Sequence, residues 1–204
     1  MHKFLEEREA HYERFFGPLD QRIFHSVDDK PVHIDVYQFA PTKHRPYWTL
    51  VTGGMSNERQ GFRDDEGVRS ARTEIIMYVR EPQGWMFHDL KVLAEFPFVE
   101  DTFLHWWHTV PIGRPIDRKK SQLSAYFFLP PYFENPAFSE LEIDGDKVDF
   151  LWMQPISEAE RAFAQAKGSE ELEKVIRKAN LSIVLDESRK SLIRQLPFGL
   201  FKKP

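Results

Sequence analysis

The 204-residue chain contains no cysteine, which excludes disulfides, a thiol nucleophile, iron–sulfur clusters and zinc sites built on thiolates. It lacks any run of about 18 apolar residues, the length a membrane-spanning helix needs. Glu6, Glu7 and Glu9 stand where a signal peptide would carry its apolar core. A cytoplasmic protein without a membrane partner is therefore the expectation. An excess of basic charge is also missing. The 28 Lys and Arg face 32 Asp and Glu, a formal net charge of −4, so no broad positive field exists to neutralise phosphates, and nucleic acid is not an expected partner. Phosphate-cradling glycine patterns are absent, as is the Gly-x-Ser-x-Gly elbow of serine hydrolases. No cofactor is implied. No internal repeat or Gly/Ser-rich linker divides the sequence, so one domain over residues 1–204 is expected.

Apolar material is abundant. The chain is 41% hydrophobic, with 18 Phe and 5 Trp, enough to offset the ordering entropy of a globular fold. Leu5, Tyr12, Phe15 and Phe16 have helical spacing, and Gly17-Pro18 stops that helix. Val32, Ile34 and Val36 alternate like a strand with one buried face, and Tyr47 to Thr52 reads as a second strand paired near it. Residues 56–71 are polar and read as an exposed loop before a strand from Thr73 to Val79. Met86, Leu90, Leu93 and Ala94 mark a helix. Leu123 to Leu129 alternates as a strand ending at Pro130-Pro131. Asp144-Gly145 is a hairpin turn leading into Val148, Phe150 and Trp152. Ser157 and Glu160 have the spacing of a capping box that opens a helix, and Gly168 separates this helix from another carrying Leu172, Val175 and Ile176. Ile183 to Leu185 reads as a short closing strand.

Candidates for chemistry are thin. His105 and His108 flank Trp106-Trp107, and on a helix they would present two imidazoles to one ion, but no third ligand sits at a recognisable interval, so no metal is assigned. Ser56 follows Gly53-Gly54-Met55 with no base nearby in sequence. The acidic run Asp64-Asp65-Glu66 reads as solvated charge. Trp106 and Trp107 cannot both face inward in an extended segment, and an exposed Trp is a natural hot spot for a protein partner.

Several stretches taken together resemble the suppressor-of-fused domain family. They are Tyr47 to Ser56 with its Thr-Gly-Gly-Met-Ser core, Arg72-Thr73-Glu74-Ile75, Trp107 to Pro111 with Pro115-Ile116-Asp117, Phe128-Leu129-Pro130-Pro131, and Val148 to Ile156 leading to Glu160. The likeness runs over roughly residues 30–190. It implies an α+β domain with a central mixed, largely antiparallel sheet packed by several helices, working as a non-catalytic protein-binding module. Within the family pattern Gly53, Gly54, Glu74, Pro130, Pro131 and Pro155 would be structural, while Met55, Ser56, Arg59 and Trp107 are the candidate contact residues. The family's two-domain animal relative restrains a transcription factor, and short bacterial members resemble immunity proteins that neutralise a toxin. A toxin or regulatory protein is thus the implied partner. The competing reading is a hydrolase or metal-dependent enzyme whose site assembles only in three dimensions.

Overall fold

The computed structural model describes residues 4–20, 24, 32–64, 67–195 and 201–202. Helix α1 (Leu5–Phe16) is followed by strands β1 (Asp35–Phe39), β2 (Trp48–Gly53), β3 (Gln60–Asp64) and β4 (Gly67–Val79). Helix α2 (Gly84–Val99) precedes β5 (Thr109–Pro111), β6 (Leu123–Leu129), β7 (Glu142–Ile143) and β8 (Asp146–Ser157). Helices α3 (Glu158–Lys167) and α4 (Ser169–Lys178) and the short strands β9 (Arg194–Gln195) and β10 (Phe201–Lys202) complete the order. The main sheet runs β1-β2-β4-β8-β6-β5, with β3 on β4 and β7 on β8. The β4–β8 pair is parallel, and the neighbouring pairs β1–β2, β2–β4, β3–β4, β5–β6 and β7–β8 are antiparallel. This is the expected α+β arrangement around a mixed, largely antiparallel sheet.

Contacts group the chain into two compact units, one of residues 1–105 and 130–152, the other of residues 106–129 and 153–204. In the first, α1 buries Tyr12 and Phe16 and ends where the Gly17 N–H reaches the Glu13 carbonyl at 3.0 Å. Tyr12, Phe16, Phe39, Phe138 and Phe150 interlock, with Phe138 and Phe150 stacked at 4.1 Å. Such ring pairs add to the area they bury. Arg45 lies over the rings of Phe16 and Tyr47 at 4.7 and 5.3 Å while it donates twice to the Glu134 carboxylate, at 2.9 Å each. The Pro130-Pro131 turn sets Glu134 there, because the Pro131 carbonyl accepts the Glu134 N–H at 2.9 Å.

His11 of α1 stacks on Phe138 and Phe150, and its Nε2 lies 2.8 Å from the Phe138 carbonyl, so that nitrogen carries the proton. Burial holds its pKa below the ordinary 6.5, against the raising effect of the Phe138 carbonyl. The unfolded chain therefore takes up a proton on His11 before the folded chain does, and stability falls as pH drops through about 6.5 toward the lower folded value. Urea unfolding between pH 7.5 and 5.5 should show this loss, and His11→Phe should flatten it. An unchanged slope in the variant would show that His11 is not its source.

In the second unit, α3 packs on β5 and β6. Ser157 caps it: the Ser157 Oγ accepts the Glu160 N–H at 3.2 Å, and the Glu160 carboxylate accepts the Ser157 N–H at 2.6 Å. Helix α4 turns Leu172, Val175 and Ile176 inward and leaves Lys174 and Lys178 in solvent.

Three local expectations are corrected. Residues 60–64 and 67–71 form the β3–β4 hairpin and not a loop; a polar, glycine-containing strand pair shows little period-2 hydrophobicity. Asp65 and Glu66 of the acidic run lie outside the described residues. Ile183 to Leu185 is no strand: the Ser182 hydroxyl accepts the Val184 N–H and the Asp186 carboxylate accepts the Ser188 N–H, local bonds that compete with a ladder. Finally β1 is buried at every position rather than on one face, and its Val36 pairs outward with Phe24.

Candidate functional site

The Thr-Gly-Gly-Met-Ser stretch is a turn wound around one carboxylate. Strand β2 delivers Thr52 and Gly53, and a single 3-10 turn follows at Met55–Asn57. Glu74, from the middle of β4, points into this turn with no exposed surface. It accepts the Thr52 hydroxyl at 2.7 Å, the Gly54 and Ser56 N–H groups at 3.0 Å each and the Ser56 hydroxyl at 2.6 Å. Gly54 has φ +114°, and a Cβ there would collide with the His33 carbonyl, so both backbone shape and space demand glycine. At Gly53 a Cβ would meet the Tyr37 ring and the Arg8 guanidinium.

Two arginines hold the turn from outside. Arg8 of α1 is 1% exposed; it donates to Asn57 Oδ1 at 2.8 Å and stands 3.9 Å from Glu74. Burial works against its charge, but Glu74 outweighs that with help from Tyr12 and Tyr37, and the Arg8 pKa is raised. Burial likewise pushes the Tyr12 phenol well above its usual value. Arg72 donates to the Ser56 and Asn57 carbonyls at 2.8 Å each and to Asp146 at 2.8 Å. Hydrogen bonds from Arg59 and Arg72 hold the Asp146 carboxyl below the ordinary carboxylate range.

This geometry locates the residues singled out in the sequence. Gly53, Gly54 and Glu74 build the turn. Met55 and Ser56 have no exposed surface: the carboxylate draws the donors of the turn inward, so neither offers a contact face as the chain is folded. The Ser56 hydroxyl is committed to Glu74 and is not poised as a nucleophile. Arg59 is half exposed and paired with Asp146 at 2.5 Å. His105 is not on a helix, and its Nε2 lies 3.1 Å from Asp149 Oδ2. Among the described residues no three potential metal ligands come together. Also among these residues, no helix is long and apolar enough to cross a membrane.

Trp107, within the second unit, is 41% exposed and has φ +65°, a left-handed backbone that costs a bulky residue of order 1–3 kcal/mol. Its N–H donates to the Phe128 carbonyl at 2.7 Å, and its indole N–H donates to Glu173 at 2.6 Å. Glu173 is fixed in turn by Arg177, whose Nε donates to it at 2.8 Å. The ring is thus held partly in water by its own surroundings.

Pro155 serves a second buried carboxylate. Glu160, fully enclosed, takes both Nη atoms of Arg189 at 2.7 and 2.9 Å as well as the Leu192 N–H at 2.9 Å, while Arg189 Nη2 also donates to the Pro155 carbonyl at 2.7 Å. Sequence reasoning missed Arg8, Arg72 and Arg189 as partners, because nothing local in the sequence marks an arginine that meets its carboxylate across the fold.

A mixed sheet with helices defines an α+β protein, and its motif carboxylates Glu74 and Glu160 are engaged by backbone N–H groups and arginines. The model of the suppressor of fused protein (SUFU) matches residues 30–190, and the chain belongs to that family. Solved structures share the fold. A suppressor-of-fused homologue from Neisseria gonorrhoeae FA 1090 superposes with a TM-score of 0.74 at 22% identity, covering 95% of this chain and 98% of its own. A chain of the Sufu–Fu complex superposes with a TM-score of 0.64 at 14% identity, over 91% of this chain and 89% of that one. For Drosophila Suppressor of Fused the score is 0.62 at 13% identity, over 93% of this chain but 50% of the fly protein. No curated protein matches.

Proposed function

We propose that this chain is a non-catalytic module that binds another protein and holds it inactive, acting as an immunity protein toward a toxin. The observation that carries the reading is the family membership, together with the likeness to a relative solved with a protein partner, in the Sufu–Fu complex. The chemistry of the motifs points the same way, since Ser56 and Glu74 satisfy each other and leave no free nucleophile–base pair there. Trp107 is the contact residue we assign, because a pre-set aromatic ring loses little freedom on docking.

The test is an affinity pull-down from the native source, with mass spectrometry, run in parallel with Trp107→Ala. A stoichiometric toxin-like protein captured by the wild-type chain and lost at least tenfold in the variant is the expected result. Recovery of no protein would overturn the reading. Capture unaffected by the variant would move the contact away from Trp107.

A further inference from the structure

Within the second unit, α4 and the segment of residues 191–194 enclose a groove of about 600 Å³. Its floor is apolar, made by Val175, Ala179 and Leu192, and its rim carries Lys174, Lys178 and Arg194. Residues four apart on a helix share a face, so the Lys174–Lys178 and Val175–Ala179 pairs each form a row along α4. The opposite wall is anchored: the Leu192 N–H is bound to the buried Glu160, and the Ser157 hydroxyl donates to that of Ser191 at 2.7 Å. Lys174 is paired with Glu171 at 2.8 Å, whereas Lys178 and Arg194 are exposed and no ion pair holds either among the described residues.

We infer that this groove receives a segment of the partner protein in which apolar side chains are flanked by acidic ones. The inference rests on the protein-binding reading above and adds the chemistry of the partner. Two uncommitted cations beside a pre-formed apolar floor favour carboxylates by charge complementarity, which steers encounter and selects partners. The floor favours a protein segment over a bare polyanion, which would leave it uncovered.

The experiment measures fluorescence anisotropy of a labelled twelve-residue peptide alternating Glu and Leu against the full chain, beside the same peptide with Lys in place of Glu. The acidic peptide should bind at least tenfold tighter, weaken as salt is raised, and lose about tenfold in the K178E/R194E variant, whose folding circular dichroism checks. Equal binding of both peptides, or an unaltered affinity in the variant, would overturn the inference. A twelve-nucleotide oligothymidylate binding tighter than the acidic peptide would also overturn it, in favour of nucleic acid. Should the pull-down yield a partner that K178E/R194E still captures in full, this surface is wrong while the protein-binding reading stands; no partner at all would overturn that reading itself.

Discussion

Glu74→Ala should destabilise the protein by about 3–5 kcal/mol, the cost of breaking a buried charge pair by removing one partner. The substitution strips the acceptor from the Thr52 and Ser56 hydroxyls and from the Gly54 and Ser56 N–H groups, and it leaves Arg8 enclosed without the carboxylate that favours its charge. Against a total stability of roughly 5–15 kcal/mol this is a large fraction. Glu74→Gln should be intermediate, because its carbonyl still accepts while its amide turns a donor toward other donors. Thr52→Val, which removes one donor to Glu74 and the acceptor of the Ile75 N–H, should cost less, about 1–3 kcal/mol. Urea midpoints of the three variants would settle the order. A Glu74→Ala midpoint no lower than that of Thr52→Val would show that the turn is held by packing and not by the carboxylate.

Arg189→Ala should cost roughly 3 kcal/mol or more, for a related reason: it leaves the Glu160 carboxylate enclosed with only backbone N–H groups for company. Adding Glu160→Gln to that variant should recover part of the loss, since the unpaired buried charge is then gone, so the double variant is less damaged than the sum of the singles. Arg189→Lys should rescue poorly, because one ammonium cannot reproduce the two-pronged contact with Glu160 while also reaching the Pro155 carbonyl. Strict additivity of the two substitutions would mean that the pair is not energetically coupled.

What the sequence made legible was local. The capping box at Ser157–Glu160, the stop at Gly17 and the Asp144-Gly145 hairpin all depend on residues within a few positions of one another, where backbone φ/ψ and short side chains decide the outcome. Alternation marks single strands such as β6, whereas the class of the sheet is what the family resemblance implies. The β3–β4 hairpin escaped because polar strands carry no such pattern. The candidate site is legible only in part: the sequence marks the Thr-Gly-Gly-Met-Ser stretch and Glu74 as motif residues, but nothing in it signals the burial of Met55 and Ser56. Their burial is decided by Glu74, eighteen positions away from Ser56, and by Arg8 at the far end of the first unit's sequence. Pairings across such distances depend on topology, which no short window of sequence contains.

The parallel pairing of β4 with β8 sets a schedule for how the chain is made. Strands β1, β2, β3 and β4 can associate through short antiparallel returns as soon as they leave the ribosome. Arg72 to Ile76 of β4, however, find their partners in Val148 to Trp152, so one edge of β4 stays uncovered until those later residues have been synthesised. A bare strand edge is a template for the wrong neighbour. The nascent protein therefore passes through an interval in which elongation rate and chaperone supply, more than final stability, govern the yield of correctly folded molecules.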